Sequence, residues 1–292
     1  MSLIDALQHY PALLITFATI IGLLVGSFLN VVIYRLPLMM QREWTSECRL
    51  LLELDDENTE QEKPFNLAQP NSHCPQCNTA IKPWQNIPVV SYLLLRGRCG
   101  HCKTRISPRY PIVEAVTGLL SAVIAWQLGS PYLVLAGLLL TWCLISLTMI
   151  DADHKLLPDQ ITLPLLWAGL IVNSFTLVVP LADALWGAVF GYMSLWTVFW
   201  GFKLITGKDG MGYGDFKLLA ALGAWMGWQS LLVIILMSSL VGAVVGTLML
   251  VLSKRGRNTA LPFGPYLAAA GWITFLWGEQ ITQFYFRFAG IA

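Results

Sequence analysis

The sequence predicts an all-α polytopic membrane protein of about eight transmembrane helices with a small zinc-binding insert on the cytoplasmic side. Three observations predict it. Hydrophobic residues make up 56% of the 292 positions and charged ones only 12%, about half the ~25% charge of a soluble domain. Apolar runs recur at about 12–34, 112–128, 131–150, 161–179, 184–202, 216–228, 230–252 and 266–286, most of them close to the ~20 residues that cross a bilayer. With eight spans and the N-terminus outside, 17 of the 18 Lys and Arg fall in cytoplasmic loops and only Arg287 lies outside, as the resistance of positive loops to translocation requires. Twelve Trp and nine Tyr suit interfacial aromatic belts.

The first run, "ALLITFATIIGLLVGSFLNVVIY", is longer than the apolar region of a signal peptide and is followed by no small-residue cleavage pattern. It is expected to stay as a first transmembrane helix, residues 1–34. Residues 35–110 form the soluble insert. Leu38, Trp44, Cys48, Leu51 and Leu52 recur there at roughly helical spacing and predict a helix lying on the membrane surface. The acidic stretch "DDENTEQEK" after it reads as a solvated loop. Ten basic residues of the insert meet eight acidic ones between Glu43 and Glu62, so no basic stripe for nucleic acid emerges. Residues 111–292 hold the remaining spans. The stretch 216–252 is divided at "GWQS", because one long helix there would place the "KRGR" cluster outside.

Four of six cysteines form "CPQC" (Cys74, Cys77) and "CGHC" (Cys99, Cys102). Two C-x2-C pairs about twenty residues apart match tetrahedral zinc spacing, each turn aiming two thiolates at one ion. "CPQCNTAIKPW" also aligns with "CGHCKTRISPRY" at Cys, Cys, Thr, Ile and Pro with a period of 25 residues. The other reading is a pair of disulfides or redox thiols, which a cytoplasmic loop disfavours. Four thiolates leave no open coordination position, so the role is structural. His73 and His101 are read as neighbours of the site, and Cys48 and Cys143 as packing residues.

Asp151 ends the third run, and Asp215 opens the sixth within "GKDGMGYGDFKLLAALG". The chain crosses twice between them, so both carboxylates return to one face at similar depth. Ionisable groups there are costly and mark functional sites. Two adjoining aspartates cannot both ionise easily, which gives an acid and a base in one place, able to activate water against a peptide carbonyl. Glycine at 212 and 214 is poor helix or strand material. A backbone bare at Gly212 and Gly214 would let an extended peptide lie beside Asp215. Aspartates at span ends are also common helix caps or solvated loop residues, the reading given to Asp153, Asp159 and Asp209. Residue types and topology leave both readings open for the pair. Glu114, one turn into the second span, needs a partner such as Arg109, and Lys155 and Lys217 are read as neighbours of the aspartates or headgroup contacts.

Six segments carry a family resemblance: "GSFLNVVIYRLP" (26–37), the paired C-x2-C, "RYPIVEAVTG" (109–118), "IDADHKLLPD" (150–159), "GMGYGDFKLLAALGAW" (210–225) and "PFGPYLAAAGW" (262–272). In this order they resemble the type IV prepilin peptidases, and "GYGD" resembles the GxGD pattern of a wider class of membrane aspartyl proteases. The resemblance implies a bacterial inner-membrane enzyme with two activities. One cleaves the basic leader of type IV prepilins and type II secretion pseudopilins on the cytoplasmic side. The other N-methylates the new terminal residue from S-adenosylmethionine. It assigns Asp151 and Asp215 as catalytic and Cys74, Cys77, Cys99 and Cys102 to zinc. No methyltransferase glycine loop is found, so that activity rests on the resemblance, with a site expected around the insert and the start of the second span. An alternative of another class is a proton-coupled transporter relaying protons through the Asp pair, against which stand the glycine-rich approach to Asp215 and the lack of a detectable inverted repeat. A membrane-tethered zinc-ribbon module would leave the aspartates unexplained.

Overall fold

A computed structural model describes residues 3–53, 64–208, 210–252 and 262–288. The acidic stretch, Asp209 and the "KRGR" cluster lie outside the described residues. Among those described the chain is helical, with no strand and only two isolated β-bridges in the insert. It divides into two compact units, Met1–Trp126 and Gln127–Ala292.

The first unit contains α1 (Leu3–His9), α2 (Pro11–Leu51), a 3-10 turn at Pro83–Asn86, α3 (Val90–Leu94) and most of α4 (Arg109–Leu128). The sequence predicts a span and then a separate surface helix, but α2 runs through both as one 41-residue helix. Pro37 removes a backbone donor in mid-helix, yet Leu36, Pro37 and Met40 are buried, so packing carries the helix past it. At 1.5 Å per residue α2 is about 62 Å long, roughly twice the ~30 Å hydrocarbon core. From Gln41 to Leu51 every residue of α2 is exposed, with Arg42 still lying over the Phe65 ring at 4.4 Å. Arg35 marks the transition. Its guanidinium is buried and donates to the carbonyls of Asn66 (2.9 Å) and Pro70 (2.6 Å), stitching the insert to α2.

The second unit contains α5 (Pro131–His154), α6 (Asp159–Ser174), α7 (Leu181–Thr206), α8 (Tyr213–Met226), α9 (Ser230–Leu252) and α10 (Gly264–Phe288). The break between α8 and α9 falls at "GWQS", where Gly227 takes a φ of 78° and so ends the helix without the strain a side chain would bring there. Among the described residues, five helices are long and apolar enough to cross a membrane: α2, α4, α5, α7 and α9. Of the other three expected spans, α6 and α8 have 16 and 14 residues, and α10 bends at Trp277. The shortness of α8 has a physical reason. It is the hub of the unit, packed by α6, α7, α9 and α10, and every residue from Leu218 to Met226 is buried. A helix sheathed in protein need not match the bilayer thickness.

Glycines let the hub close. A Cβ on Gly187 of α7 or Gly223 of α8 would overlap the other's backbone, and one on Gly191 would strike Leu219 and Ala220. Small residues spaced this way allow membrane helices to approach to backbone contact. The C-terminal carbonyls of α8, which no helical N–H reaches, are met by Asn173: its amide donates to Ala224 (2.9 Å) and Trp225 (3.1 Å). The Trp225 indole in turn donates to the Leu165 carbonyl at 2.8 Å.

Candidate active site and metal centre

Asp151 lies in the last turn of α5, 5% exposed. The helix stops one turn later, where Lys155 adopts a left-handed conformation and its N–H returns to the Asp151 carbonyl at 2.8 Å. The Asp151 side chain is fixed from the far end of the chain: Oδ2 accepts the backbone N–H of Gly264, the first residue of α10, at 2.9 Å. A helix N-terminus presents free N–H groups and a partial positive charge to such a carboxylate. Gly264 is needed there, since a Cβ would sit 2.7 Å from Oδ2.

Asp215 is the third residue of α8, 8% exposed. Its Oδ2 faces Gly212, the residue that caps the helix. Its Oδ1 is buried and has no hydrogen-bond partner among the described residues. Leu157, in the turn after α5, bridges the two settings, lying against both Gly214 and Gly264. The start of α8 is held by rings: Phe216 meets Phe199 (5.7 Å), Tyr213 (5.4 Å) and Tyr192 (5.9 Å). The fold thus brings two carboxylates from separate helices together, one anchored and one with a free buried oxygen.

The two glycines before Asp215 differ. A Cβ on Gly214 would lie 2.8 Å from Leu157 Cβ, whereas one on Gly212 would meet, among the described residues, only Asp215 Oδ2, at 3.8 Å. Other ionisable residues have partners of their own. Lys217 binds both carboxylate oxygens of Asp159, at 2.8 and 2.7 Å, and Asp159 caps no helix. Glu114, for which Arg109 is the expected partner, accepts the Val89 N–H at 2.8 Å. The contribution of Gly264 is not legible from residue type. Its signal is the glycine-proline pair opening a helix in "PFGPY", a weak one without the fold.

In the insert, the four sulfurs of Cys74, Cys77, Cys99 and Cys102 lie within 4.8 Å of one another, and no disulfide joins them. Cys74 and Cys102 are 3.7 Å apart, matching the roughly 3.8 Å between sulfurs of a tetrahedron with ~2.3 Å zinc–sulfur bonds. The cluster can hold a metal ion. The 25-residue repeat is a structural one. Cys74 N–H bonds the Thr79 carbonyl and Cys99 N–H that of Thr104; Asn78 and Lys103 both take positive φ; His73 pairs with Ala80 and Arg98 with Arg105. The Thr104 hydroxyl and backbone push the Cys102 thiol down to about 6, and Thr79 lowers Cys77 in the same way. Two of the four cysteines thus have the thiolate character a metal ligand needs, whereas the Cys74 thiol is raised. His73 and His101 are exposed and outside the cluster.

Comparison with known proteins follows the same division. Residues 20–128 match the bacterial Peptidase A24 N-terminal domain and residues 138–247 the type IV leader peptidase family. A prepilin leader peptidase/N-methyltransferase of Stutzerimonas stutzeri is 57% identical over 289 residues, and one of Pseudomonas aeruginosa 57% identical over 290, each match covering 99% of both chains. A Neisseria gonorrhoeae protein of the same name is 53% identical, covering 91% of this chain and 92% of its own. No solved structure matches significantly. These matches support the peptidase reading and not the transporter. The chain belongs to the type IV leader peptidase family.

Proposed function

We propose that this chain is a membrane aspartyl endopeptidase that removes the leader of type IV prepilins and type II secretion pseudopilins and methylates the exposed N-terminal amine. Asp151 and Asp215 are its catalytic pair. The observation that carries this assignment is the buried, unpartnered Oδ1 of Asp215 beside an Asp151 that α10 holds in place. A charged oxygen buried without a partner is costly, and a shared proton and a water between the carboxyls relieve that cost. One carboxylate takes a proton from the water as its oxygen attacks the scissile carbonyl carbon. The other gives its proton to the carbonyl oxygen, and on collapse of the tetrahedral centre the leaving amine is protonated. The open side at Gly212 is where an extended substrate backbone approaches, while Gly214 makes room for Leu157.

Cys74, Cys77, Cys99 and Cys102 hold a structural zinc that fixes the fold of residues 35–110, a segment distinct from the peptidase part, 111–292. S-adenosylmethionine supplies the methyl group. The enzyme sits in the bacterial inner membrane with the zinc loop and the aspartates on the cytoplasmic side, a sidedness supported by the placement of 17 of 18 basic residues. Mass spectrometry of a co-expressed prepilin reads leader loss and methylation together. Both are expected with the intact chain. Neither Asp151→Asn nor Asp215→Asn should cleave, and leader loss with either variant would remove the pair from the mechanism.

A further inference from the structure

Between the two knuckles the chain carries large apolar side chains that the described residues leave exposed: Ile87 is 48% exposed, Val90 50%, Leu93 67% and Leu94 78%. In a soluble loop such a patch calls for a partner. Its position identifies one. The Val89 N–H is bound by the Glu114 carboxylate at 2.8 Å, and the Ser27 hydroxyl reaches the same carboxylate. Glu114 lies about 8 Å along α4 from Arg109, at 1.5 Å per residue. Gly26, whose Cβ would touch Glu114 Cα at 2.8 Å, lies about 13 Å along α2 from Arg35 by the same rise. α2 and α4 are both candidate spans, so both rulers put Val89 on the membrane side of Arg35 and Arg109.

The backbone there is unusual. Val89 has φ 59° and ψ −48°, and the Val90 N–H returns to the Pro88 carbonyl at 2.5 Å. This is a positive-φ γ-turn, rare and strained for any side chain and more so for a β-branched one. Non-helical backbone at membrane depth is tolerated only where its polar groups find partners, and Glu114 supplies one to Val89. Just beyond the apolar residues come the exposed Arg96 and Arg98, placed as headgroup phosphates require.

We propose that residues 87–94 form a membrane-docking element that seats Ile87, Val90, Leu93 and Leu94 in the acyl–headgroup boundary, pinned at that depth by the Glu114–Val89 bond. The occupant of the apolar patch is the bilayer. The same exposed apolar character continues along the flanks of α2 and α4, at Leu24, Phe28, Ile112 and Leu119, as a surface in contact with lipid would.

The test places p-benzoylphenylalanine at Leu94, or at the exposed Gln76 of the first knuckle, in the full chain. Each protein is reconstituted in phosphatidylethanolamine–phosphatidylglycerol vesicles, irradiated and weighed by intact mass spectrometry. A phospholipid adduct is expected at position 94 and not at 76. No lipid adduct at 94, adducts equal at both positions, or a cross-link from 94 to a second copy of the chain would each overturn the proposal. Glu114→Ala should lose the adduct at 94, and Glu114→Gln, which keeps an acceptor oxygen, should retain it. An undiminished adduct in inserted Glu114→Ala refutes the pinning. If Glu114→Ala fails to insert, the comparison of 94 with 76 still decides the docking.

Discussion

The cysteine cluster and the carboxylate pair are built by opposite means. Each half of the cluster is a local turn whose hydrogen bonds close within nine residues, repeated once 25 positions later. The ligands are exposed or half-exposed apart from Cys74. The carboxylates are buried, and their setting is assembled from remote parts of the chain: Asp151 meets a donor 113 residues away, and Asp215 depends on α8 being gripped by four other helices. A metal site made of turns needs the ion to complete it, because few buried contacts hold the turns together. A buried pair inside a bundle is positioned by packing before anything binds.

The largest effects should separate the two. Asp151→Asn or Asp215→Asn is expected to lower leader cleavage by at least the ~10²–10⁴-fold of a general acid–base group, with the variant still inserted and the insert still binding metal. Cys99→Ser is expected to lose bound zinc in metal analysis and leave residues 35–110 sensitive to protease, since a structural zinc contributes folding energy directly. Loss of metal from an Asp variant would break the contrast, because it would make the two regions one cooperative structure.

Gly264→Ala probes the long-range contact behind the pair. The added Cβ would lie 2.7 Å from Asp151 Oδ2, so the carboxylate must move or α10 must shift. Misplacement of a reacting group by about 1 Å can cost ~10²-fold. The loss should fall on kcat with KM nearly unchanged, because the group moved acts in the transition state. An unchanged kcat would show that the Gly264 N–H does not set the position of Asp151.

The same contrast explains what could be read from the sequence. The knuckles were legible to the ligand, since spacing and a 25-residue repeat encode a local turn completely. The Asp pair was expected from topology, with two crossings between residues 151 and 215 returning both to one face; of those two segments α7 is long and apolar enough to cross, while α6 has 16 residues. Its surroundings were not legible. Gly264, Leu157 and the rings around Phe216 become neighbours only through packing that no local pattern records. The continuity of α2 was missed for a related reason: Pro37 is a helix breaker in isolation, and the burial of Leu36 and Met40 is a tertiary fact. The shortness of α8 was visible, but not its cause.

Gly223→Ala tests the packing at some distance from the carboxylates. Its methyl group would overlap the Gly187 backbone, and overpacking of this kind costs about 1–3 kcal/mol. A lowered thermal midpoint in detergent is expected, with metal content unchanged. Equal stability would mean that α7 and α8 can separate without loss, and that Asp215 is positioned by something other than the hub.

The smallest effect concerns Lys217 and Asp159, which lie near the pair in sequence and engage each other. Lys217 binds both oxygens of Asp159 at 2.8 and 2.7 Å, with the side chains 29% and 49% exposed. Bidentate geometry favours the contact, while water and salt screen it, so such a pair contributes about 0.2–1 kcal/mol. It ties the first turn of α6 to the second turn of α8, next to the turn that carries Asp215. A double-mutant cycle with Lys217→Met and Asp159→Asn should therefore show a coupling of that size in stability, shrinking with added salt. Cleavage should fall by no more than the lost coupling explains. A much larger loss of cleavage at full stability would move the ion pair from the supporting bundle into the site itself. It would then be a charge that orients substrate or pair, and the boundary drawn here between packing and chemistry would shift by one turn of α8.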